Sequence, residues 1–390
     1  MVYSKKLTYL ILGIVLVFNS IGMAIYSYLG RYLQSLGTSE ILIQVVVSLF
    51  PLSSFVFPPI LGRLSDKYQN RRQFILLGAL SIPLVFILFI FIKNLILITF
   101  LVVLYGFCSS LLGLSFILFQ EVVFNNQTYI SYYNSMVVLG WFFGAQLCGI
   151  FLDFYGIGNL FIFLLIISVL LLSLVIFLKE DRALILNEFD LHQQQSKKVH
   201  LFSDDIDIPV NPAIYYGLFF RNFGIRPIMS ILTIIMALHL STDSEIGFLI
   251  GINPLIQFFL MILMGRIISQ KNEKIIMILG YILSGVVVLG YIISVDFFTY
   301  FFFQILVSFS YSMFWSATHF YIAQNTTPEN KGQYIGIANS SFYLGSFLGG
   351  MFLSGMLAIN PDYYFAMIPL ISFPLLSALI ISIKFKHNNS

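Results

Sequence analysis

Apolar runs of about 20 residues recur along the chain and are separated by short polar segments. As a helix rising 1.5 Å per residue, such a run crosses a hydrocarbon core of roughly 30 Å. The runs lack the alternating polar and apolar positions of an outer-membrane β-barrel, and helices satisfy their own backbone hydrogen bonds in lipid. The predicted spans are 7–29, 41–61, 74–92, 95–119, 131–152, 158–178, 213–239, 245–264, 275–294, 298–323, 333–357 and 363–383.

Composition agrees with a membrane protein. Of the 390 residues, 59% are hydrophobic and only 9% are charged, which is more apolar surface than one soluble core can hide. The first run follows Lys5 and Lys6 but is too long for a signal peptide and has no small-residue cleavage site, so we interpret it as a retained span. Cys108 and Cys148 both lie in apolar runs, where a free thiol behaves as a small hydrophobe.

The positions of the basic residues predict the orientation in the membrane. With an even number of spans, both termini lie in one compartment. Of the 20 Lys and Arg residues, Arg31 and Lys93 fall on the opposite side and Arg221 and Arg226 fall inside span seven, so 16 lie on the terminus side. Because Lys and Arg accumulate in cytoplasmic loops, we expect both termini to be cytoplasmic and the protein to be in the cell membrane.

Residues 179–212 form the one long polar stretch and hold seven of the 17 acidic residues. This composition predicts a solvated cytoplasmic linker. It divides the chain into an N-terminal part, 1–178, and a C-terminal part, 213–390, with six predicted spans each.

The two parts are related by an internal repeat. The segment YISYYNSMVVLGWFFG at 129–144 matches YIGIANSSFYLGSFLG at 334–349 without a gap. Pro51 and Gly62 also recur, with the same internal spacing, as Pro254 and Gly265. The repeat predicts two six-helix bundles in parallel orientation.

The segment GRLSDKYQNRRQF at 62–74 places five charged residues between two apolar runs. It resembles the signature of the major facilitator superfamily, a Gly-x-Leu-x-Asp-Arg-x-Gly-Arg-Arg pattern in the cytoplasmic loop between spans two and three. The matching residues are Gly62, Leu64, Asp66, Arg71 and Arg72, with Lys67 in place of the usual Arg. With the spans, the linker and the repeat, the resemblance covers nearly the whole chain. It implies an all-α membrane protein with 12 transmembrane helices in two pseudo-symmetric bundles.

The signature implies a conformational latch. From the residue types alone, Gly62 allows two helices to approach closely, and Asp66 is suited to bind a helix N-terminus or an Arg in one conformation. In the family this loop holds the outward-facing form, and the resemblance assigns that role to Asp66 and Arg72. For Lys67 and Arg71 we favour a role in topology only.

Three departures from the family pattern bear on function. The second copy of the signature has Ser269 where Asp66 would align, so we expect a latch on one side only. Val102 stands four residues before Gly106, where many proton-coupled members carry an Arg. The antiporter pattern on span five is only partly kept, because this sequence has Gly144-Ala145 and a Cys-Gly pair in its place. These departures argue against proton-driven drug efflux, which we keep as the alternative.

The resemblance places spans one, four, seven and ten along the central path, so polar side chains there are candidates for substrate binding. We predict substrate contacts from Asn19, Tyr26, Tyr105, Asn222, Arg226, Gln304, Tyr311, Trp315 and His319. Hydroxyl side chains on these spans are weaker candidates because Ser and Thr can bond the carbonyls of their own helix.

Arg226 is the strongest candidate for a substrate contact. We expect it about 7 Å inside the cytoplasmic boundary, a depth at which a charge faces a cavity or a partner. The alternative is that it snorkels to lipid headgroups, which is the interpretation we favour for Arg221. His319 is expected either to meet Arg226 across the cavity or to be a core imidazole.

Every carboxylate can be placed in a loop or at the end of a span, so the sequence predicts no clear proton relay; Glu121 and Asp153 are the nearest candidates. Because no acidic residue lies near Arg226, we expect a cavity that accepts an anionic or amphipathic organic solute.

We therefore predict a secondary active transporter of a small organic solute, with no cofactor and no catalytic residues. Its expected partners are the substrate, membrane lipid and, for coupled transport, H⁺ or Na⁺; nucleic acid is not expected. A non-transporting sensor with the linker as its output is an alternative of another class. A membrane-embedded enzyme is disfavoured because the sequence has no nucleotide cradle, no H-E-x-x-H and no G-x-S-x-G.

Overall fold

The structure is a computed structural model that describes residues 5–68, 70–123, 127–178, 210–326 and 331–385. The predicted linker, up to residue 209, falls outside the described residues. Within them the fold is all-helical, as predicted, and has 12 helices long and apolar enough to cross a membrane. The spans are Lys6–Ser35, Glu40–Ser65, Arg71–Phe91, Leu95–Val122, Ser131–Tyr155, Ile157–Ile176, Ala213–Met236, Asp243–Ile267, Glu273–Ile293, Phe297–Gln324, Gly332–Ile359 and Tyr363–Lys384.

Polar residues in the short connections start the helices. The side chains of Asn94 and Asp296 each accept hydrogen bonds from two backbone amides of the helix that follows. Thr242 caps span eight through the amide of Glu245. These caps satisfy amides that have no partner inside the helix, so the breaks between apolar runs are set locally.

The signature segment is mostly helical, which corrects its placement in a loop. The helix that contains span two continues to Tyr68, and the next helix begins at Arg71. Asn70 caps that helix by accepting a hydrogen bond from the amide of Gln73 at 3.1 Å. Arg71 and Arg72 therefore belong to the first turn of span three.

The sequence repeat is also a repeat of helix packing. A side chain at Gly140 of span five would lie 2.5 Å from the carbonyl oxygen of Leu16 in span one. At the equivalent place in the second half, a side chain at Gly345 of span eleven would overlap the carbonyl of Phe219 in span seven. In both halves the glycine one turn later meets the same partner helix equally closely. Small residues at these positions allow the same close crossing in each half.

The two halves meet on one side of the membrane. We call the side on which span one begins and span twelve ends proximal and the opposite side distal. Thr233 of span seven donates a hydrogen bond to the carbonyl of Ser27 in span one, and Ser354 of span eleven donates to Ile41 in span two. These residues lie in the distal parts of their spans. The structure is therefore closed on the distal side.

Candidate functional site

A cavity lies where spans one, two, seven and eleven meet, and the space between protein atoms there, including the part open to solvent, is about 440 Å³. Its lining residues are Tyr26, Gln44, Val47, Ser48, Phe50, Pro51, Ser54, Arg226, Pro227, Ser230, Tyr343 and Ser346. Tyr26 and Arg226 were predicted as substrate contacts. The contributions of spans two and eleven were missed, because only spans one, four, seven and ten were searched.

Arg226 lies deeper in the membrane than the sequence analysis placed it. It comes 13 residues after Ala213, where span seven begins, which is roughly 20 Å along the helix. The expected depth of 7 Å was wrong because Arg226 lies at least 10 residues, roughly 15 Å, from either end of span seven. Arg226 is thus near the middle of the span, where a cation is most costly.

Aromatic rings surround the Arg226 guanidinium. Its central carbon lies 5.3 Å from the ring centroid of Tyr26 and 5.0 Å from that of Phe342. Both distances are in the range of a cation–π contact. Among the described residues, no carboxylate forms an ion pair with Arg226. The N–H donors of this guanidinium are therefore available to an anion in the cavity.

Three of the six hydroxyl groups in the lining donate their proton to backbone carbonyls of their own helices. Ser48, Ser230 and Ser346 each donate a hydrogen bond to a carbonyl of their own helix, at 2.6–2.8 Å. They can therefore accept hydrogen bonds from a solute but have no free O–H to donate.

Gln44 of span two is the one amide side chain in the lining. It is 1% exposed, and its Nε2 donates to the Oγ of Ser48 at 3.3 Å. The Oε1 of Gln44 is buried and has no hydrogen-bond partner among the described residues.

Three of the four predicted residues of span ten form a row near the cavity, although they are not among its lining residues. Tyr311 stacks on Trp315 with ring centroids 5.7 Å apart, and Trp315 lies 4.5 Å from the ring of His319. Phe342 contacts Trp315 at 5.6 Å and also faces the Arg226 guanidinium. Phe342 thus links the row to Arg226.

Four other predicted residues do not line the described cavity. Tyr105 is 3% exposed and packs between aromatic rings of the N-terminal half. Asn19 and Asn222 each donate to the carbonyl four residues earlier, at 2.8 and 2.6 Å. Gln304 is fully buried in the C-terminal half, and neither amide atom has a partner among the described residues.

Arg221 does not snorkel to lipid headgroups, which corrects that interpretation. It is 2% exposed and lies inside the C-terminal half. Its Nε donates to Ser284 at 3.0 Å, its Nη1 donates to Asn222 at 3.0 Å, and its guanidinium lies 4.3 Å from the ring centroid of Phe314. The side chain is held by neutral groups.

In the signature segment, Arg71 makes the ion pair. Its Nε and Nη2 lie 2.8 and 2.7 Å from Oε1 of Glu121, and its Nη1 donates to Ser65 at 2.7 Å. The interpretation of Arg71 as a topology signal only was therefore wrong. Glu121, a predicted relay candidate, is the carboxylate of this pair.

The predicted latch residues have different surroundings. A side chain built at Gly62 would have nothing within 4 Å, so the expected close helix contact is not made in this conformation. Arg72 donates from Nε to the carbonyl of Leu178 at 2.5 Å. The side chain of Asp66 lies outside the described part of the structure, so its role stays a prediction.

Asp153, the other relay candidate, belongs to the distal contact between the halves. Its carboxylate accepts hydrogen bonds from the backbone amides of Asp243 and Ser244, at 2.5 and 2.9 Å. Arg31 forms an ion pair with the Asp243 side chain, and the Tyr28 hydroxyl donates to the Asp243 carbonyl at 3.3 Å. Three side chains of the N-terminal half thus converge on the start of span eight.

No group of three His, Cys, Asp or Glu residues suited to a metal ion occurs in the described parts of the chain.

Comparison with known proteins gives a family. The model of the MFS_1 like family matches residues 8–367. An uncharacterised MFS-type transporter of Methanocaldococcus jannaschii is 25% identical over 353 residues, which cover 86% of this chain and 88% of the relative.

Solved structures show the same fold. The nucleoside transporter NupG superimposes with a TM-score of 0.76 at 13% identity, over 98% of this chain and 99% of NupG. A D-xylose-proton symporter superimposes with a TM-score of 0.74 at 13% identity, over 97% of each chain. At these identities the likeness concerns the fold and not the solute.

Proposed function

The chain belongs to the MFS_1 like family and is a multi-pass membrane transporter of the MFS kind, and from this premise we propose that it carries a small organic anion past Arg226 by alternating access. Both termini are cytoplasmic in this proposal, on the basis of the Lys and Arg distribution.

The observation that carries the proposal is the mid-membrane cation of Arg226. Removing a guanidinium from water costs several kcal/mol, and cation–π contacts with Tyr26 and Phe342 offset only part of that cost. An anion in the cavity would supply charge-assisted hydrogen bonds to the free N–H groups of Arg226. The lining contains no carboxylate that would repel it.

The closed distal side fits one state of the transport cycle. Opening that side requires breaking the contacts of Asp153, Thr233 and Ser354 with the other half. A solute shifts the balance between the states only by its difference in affinity for them. Rocking of two repeat-related bundles about a central site is the motion that such duplicated carriers use.

The contacts of the carboxylates favour this proposal over proton-coupled drug efflux. Glu121 is paired with Arg71, and Asp153 caps a helix across the two halves. Both acids considered as proton relays are thus occupied by structural contacts.

The test is solute binding by the purified protein. Thermal stabilisation is measured with a panel of organic anions, neutral sugars and amphipathic cations. We expect stabilisation by anions, weakened roughly ten- to hundredfold in Arg226→Gln because charge-assisted hydrogen bonds are lost. Arg63→Gln, which removes an exposed cation, is the matched control. Stabilisation by neutral sugars alone would contradict the proposal.

A further inference from the structure

The orientation of the Gln44 amide follows from its neighbour. The Oγ of Ser48 donates its only proton to the backbone carbonyl of Gln44 at 2.7 Å. It can therefore only accept a hydrogen bond from the Gln44 side chain, which is the 3.3 Å contact with Nε2. The NH₂ group must face Ser48, so the free atom is the acceptor Oε1.

Close packing holds the Gln44 amide in place. A side chain at Gly350 of span eleven would overlap the Oγ of Ser48 and lie 3.1 Å from the Nε2 of Gln44. Gly350 thus brings the backbone of span eleven against the Nε2 side of the amide. Rotation that would pair Oε1 with Ser48 is blocked because Ser48 has no proton left to donate.

An unpaired buried acceptor is costly. It forfeits its hydrogen bonds to water, at roughly 1–3 kcal/mol in folded proteins. Natural interiors seldom keep such an atom without a reason, and Gln44 lies in the same cavity as the free donors of Arg226. The cavity therefore has donors for an anion, and one of its lining residues carries an unused neutral acceptor.

We propose that Gln44 recognises a hydrogen-bond donor on the solute, so that the substrate class is an organic anion with an uncharged O–H or N–H group. This inference rests on the proposed function, in which Arg226 binds the anionic group. Gln44 Oε1 accepts a hydrogen bond from the second group of the same solute. An ammonium group is a poorer fit because the lining contains no carboxylate and holds the Arg226 cation.

Matched pairs of anions test the assignment. Lactate is compared with propionate, and 4-hydroxybenzoate with benzoate, by thermal stabilisation and by direct binding to the purified full chain. We expect the hydroxylated member of at least one pair to bind roughly tenfold more tightly, because a site built to bond a hydroxyl rejects the analogue without it. Equal affinity within every pair would overturn the proposal.

Substitutions then test which residue causes the preference for the hydroxylated anion of each pair. In Gln44→Met we expect the preference within a pair to fall to about twofold or less, while the member without the hydroxyl binds as before. Gln304→Met is the matched control, since Gln304 is also a buried glutamine with unpaired amide atoms but does not line the cavity. A preference that survives in Gln44→Met, or disappears in Gln304→Met, would contradict the role of Gln44.

The two proposals fail in different ways. If no anion binds, or if binding is unchanged in Arg226→Gln, the proposed function fails and the role of Gln44 fails with it. If anions bind through Arg226 without discrimination within the pairs, only the role of Gln44 fails. The comparison within pairs uses the unmodified protein, so it stands even if a variant does not fold.

Discussion

The carboxylate of Asp153, on span five, caps the helix that begins at Asp243, on span eight, across the boundary between the two halves. The first amides of a helix have no partner within it, and the N-terminus carries a partial positive charge. A carboxylate accepts hydrogen bonds from these amides and its negative charge is attracted to the N-terminus. Because the cap and its helix belong to different halves, this contact has to break when the distal side opens.

We predict that Asp153→Asn shifts the protein towards a distally open state. An amide is a weaker cap without charge, so the closed state should lose about 0.5–2 kcal/mol, or roughly a two- to thirtyfold change in the ratio of states. Spin labels at Tyr155 and Leu238, which are exposed at the distal ends of spans five and seven, would report the opening as a longer distance.

Asp296→Asn is the matched control for this prediction. Asp296 also accepts hydrogen bonds from two amides that start a helix, but the cap and the helix belong to the same half. The variant should therefore leave the distance between the labels unchanged. Equal effects of the two substitutions would show that the Asp153 cap does not hold the halves together.

A second prediction concerns Gly149, which lies against span eight at the same distal contact. A side chain at Gly149 would overlap the Asp243 carbonyl and lie 2.9 Å from the Cα of Gly247. Gly149→Ala should therefore hinder distal closure by about 1–3 kcal/mol and slow transport. The label distance should lengthen as in Asp153→Asn. Gly355→Ala serves as the control, since a side chain there meets nothing within 4 Å.

A third prediction concerns the ion pair of Arg71 and Glu121. Their side chains are 9% and 24% exposed, so part of the attraction is screened by solvent. Glu121→Gln should destabilise the N-terminal half by about 1–3 kcal/mol because it leaves the Arg71 cation without its carboxylate. The free energy of unfolding would be compared with those of Arg71→Met and of the double variant. Strict additivity of the two single effects would argue that the pair is not coupled.

The choice between Arg71 and Arg72 illustrates what the sequence could not decide. Both residues match the signature, and the resemblance assigned the latch role to Arg72. A family pattern does not say which of two adjacent side chains faces the neighbouring helix. Once the helix begins at Arg71, that side chain points towards Glu121 of span four, while Arg72 reaches the carbonyl of Leu178. Helix phase is decided by packing of the whole half, which a short motif does not encode.

The fold was more predictable than the cavity for a related reason. Long apolar runs predicted the spans, because lipid allows few alternatives to a helix, and the recurrence of 129–144 at 334–349 predicted their division into two repeats. The cavity depends on how each helix is rotated. Gln44 could still have been found, since it is the only amide in the predicted span 41–61, and a polar group in an apolar run needs a partner.

The last prediction concerns Arg221, a buried cation surrounded by neutral groups. Its guanidinium is bonded to Ser284 and Asn222 and lies over Phe314, and no carboxylate pairs with it among the described residues. Burying an unbalanced cation costs several kcal/mol, which an apolar side chain of similar length would not incur. Arg221→Met should therefore raise the melting temperature in detergent, even though the Oδ1 of Asn222 loses its donor at a cost of roughly 1–3 kcal/mol.

Arg221→Ala is the comparison, because it removes the charge but leaves a cavity and should lower the melting temperature relative to Arg221→Met. A more stable Arg221→Met with reduced transport would mean that the cation is retained for the transport cycle. A clearly lower melting temperature for Arg221→Met than for the unmodified protein would instead show that its hydrogen bonds and the contact with Phe314 outweigh the cost of burial.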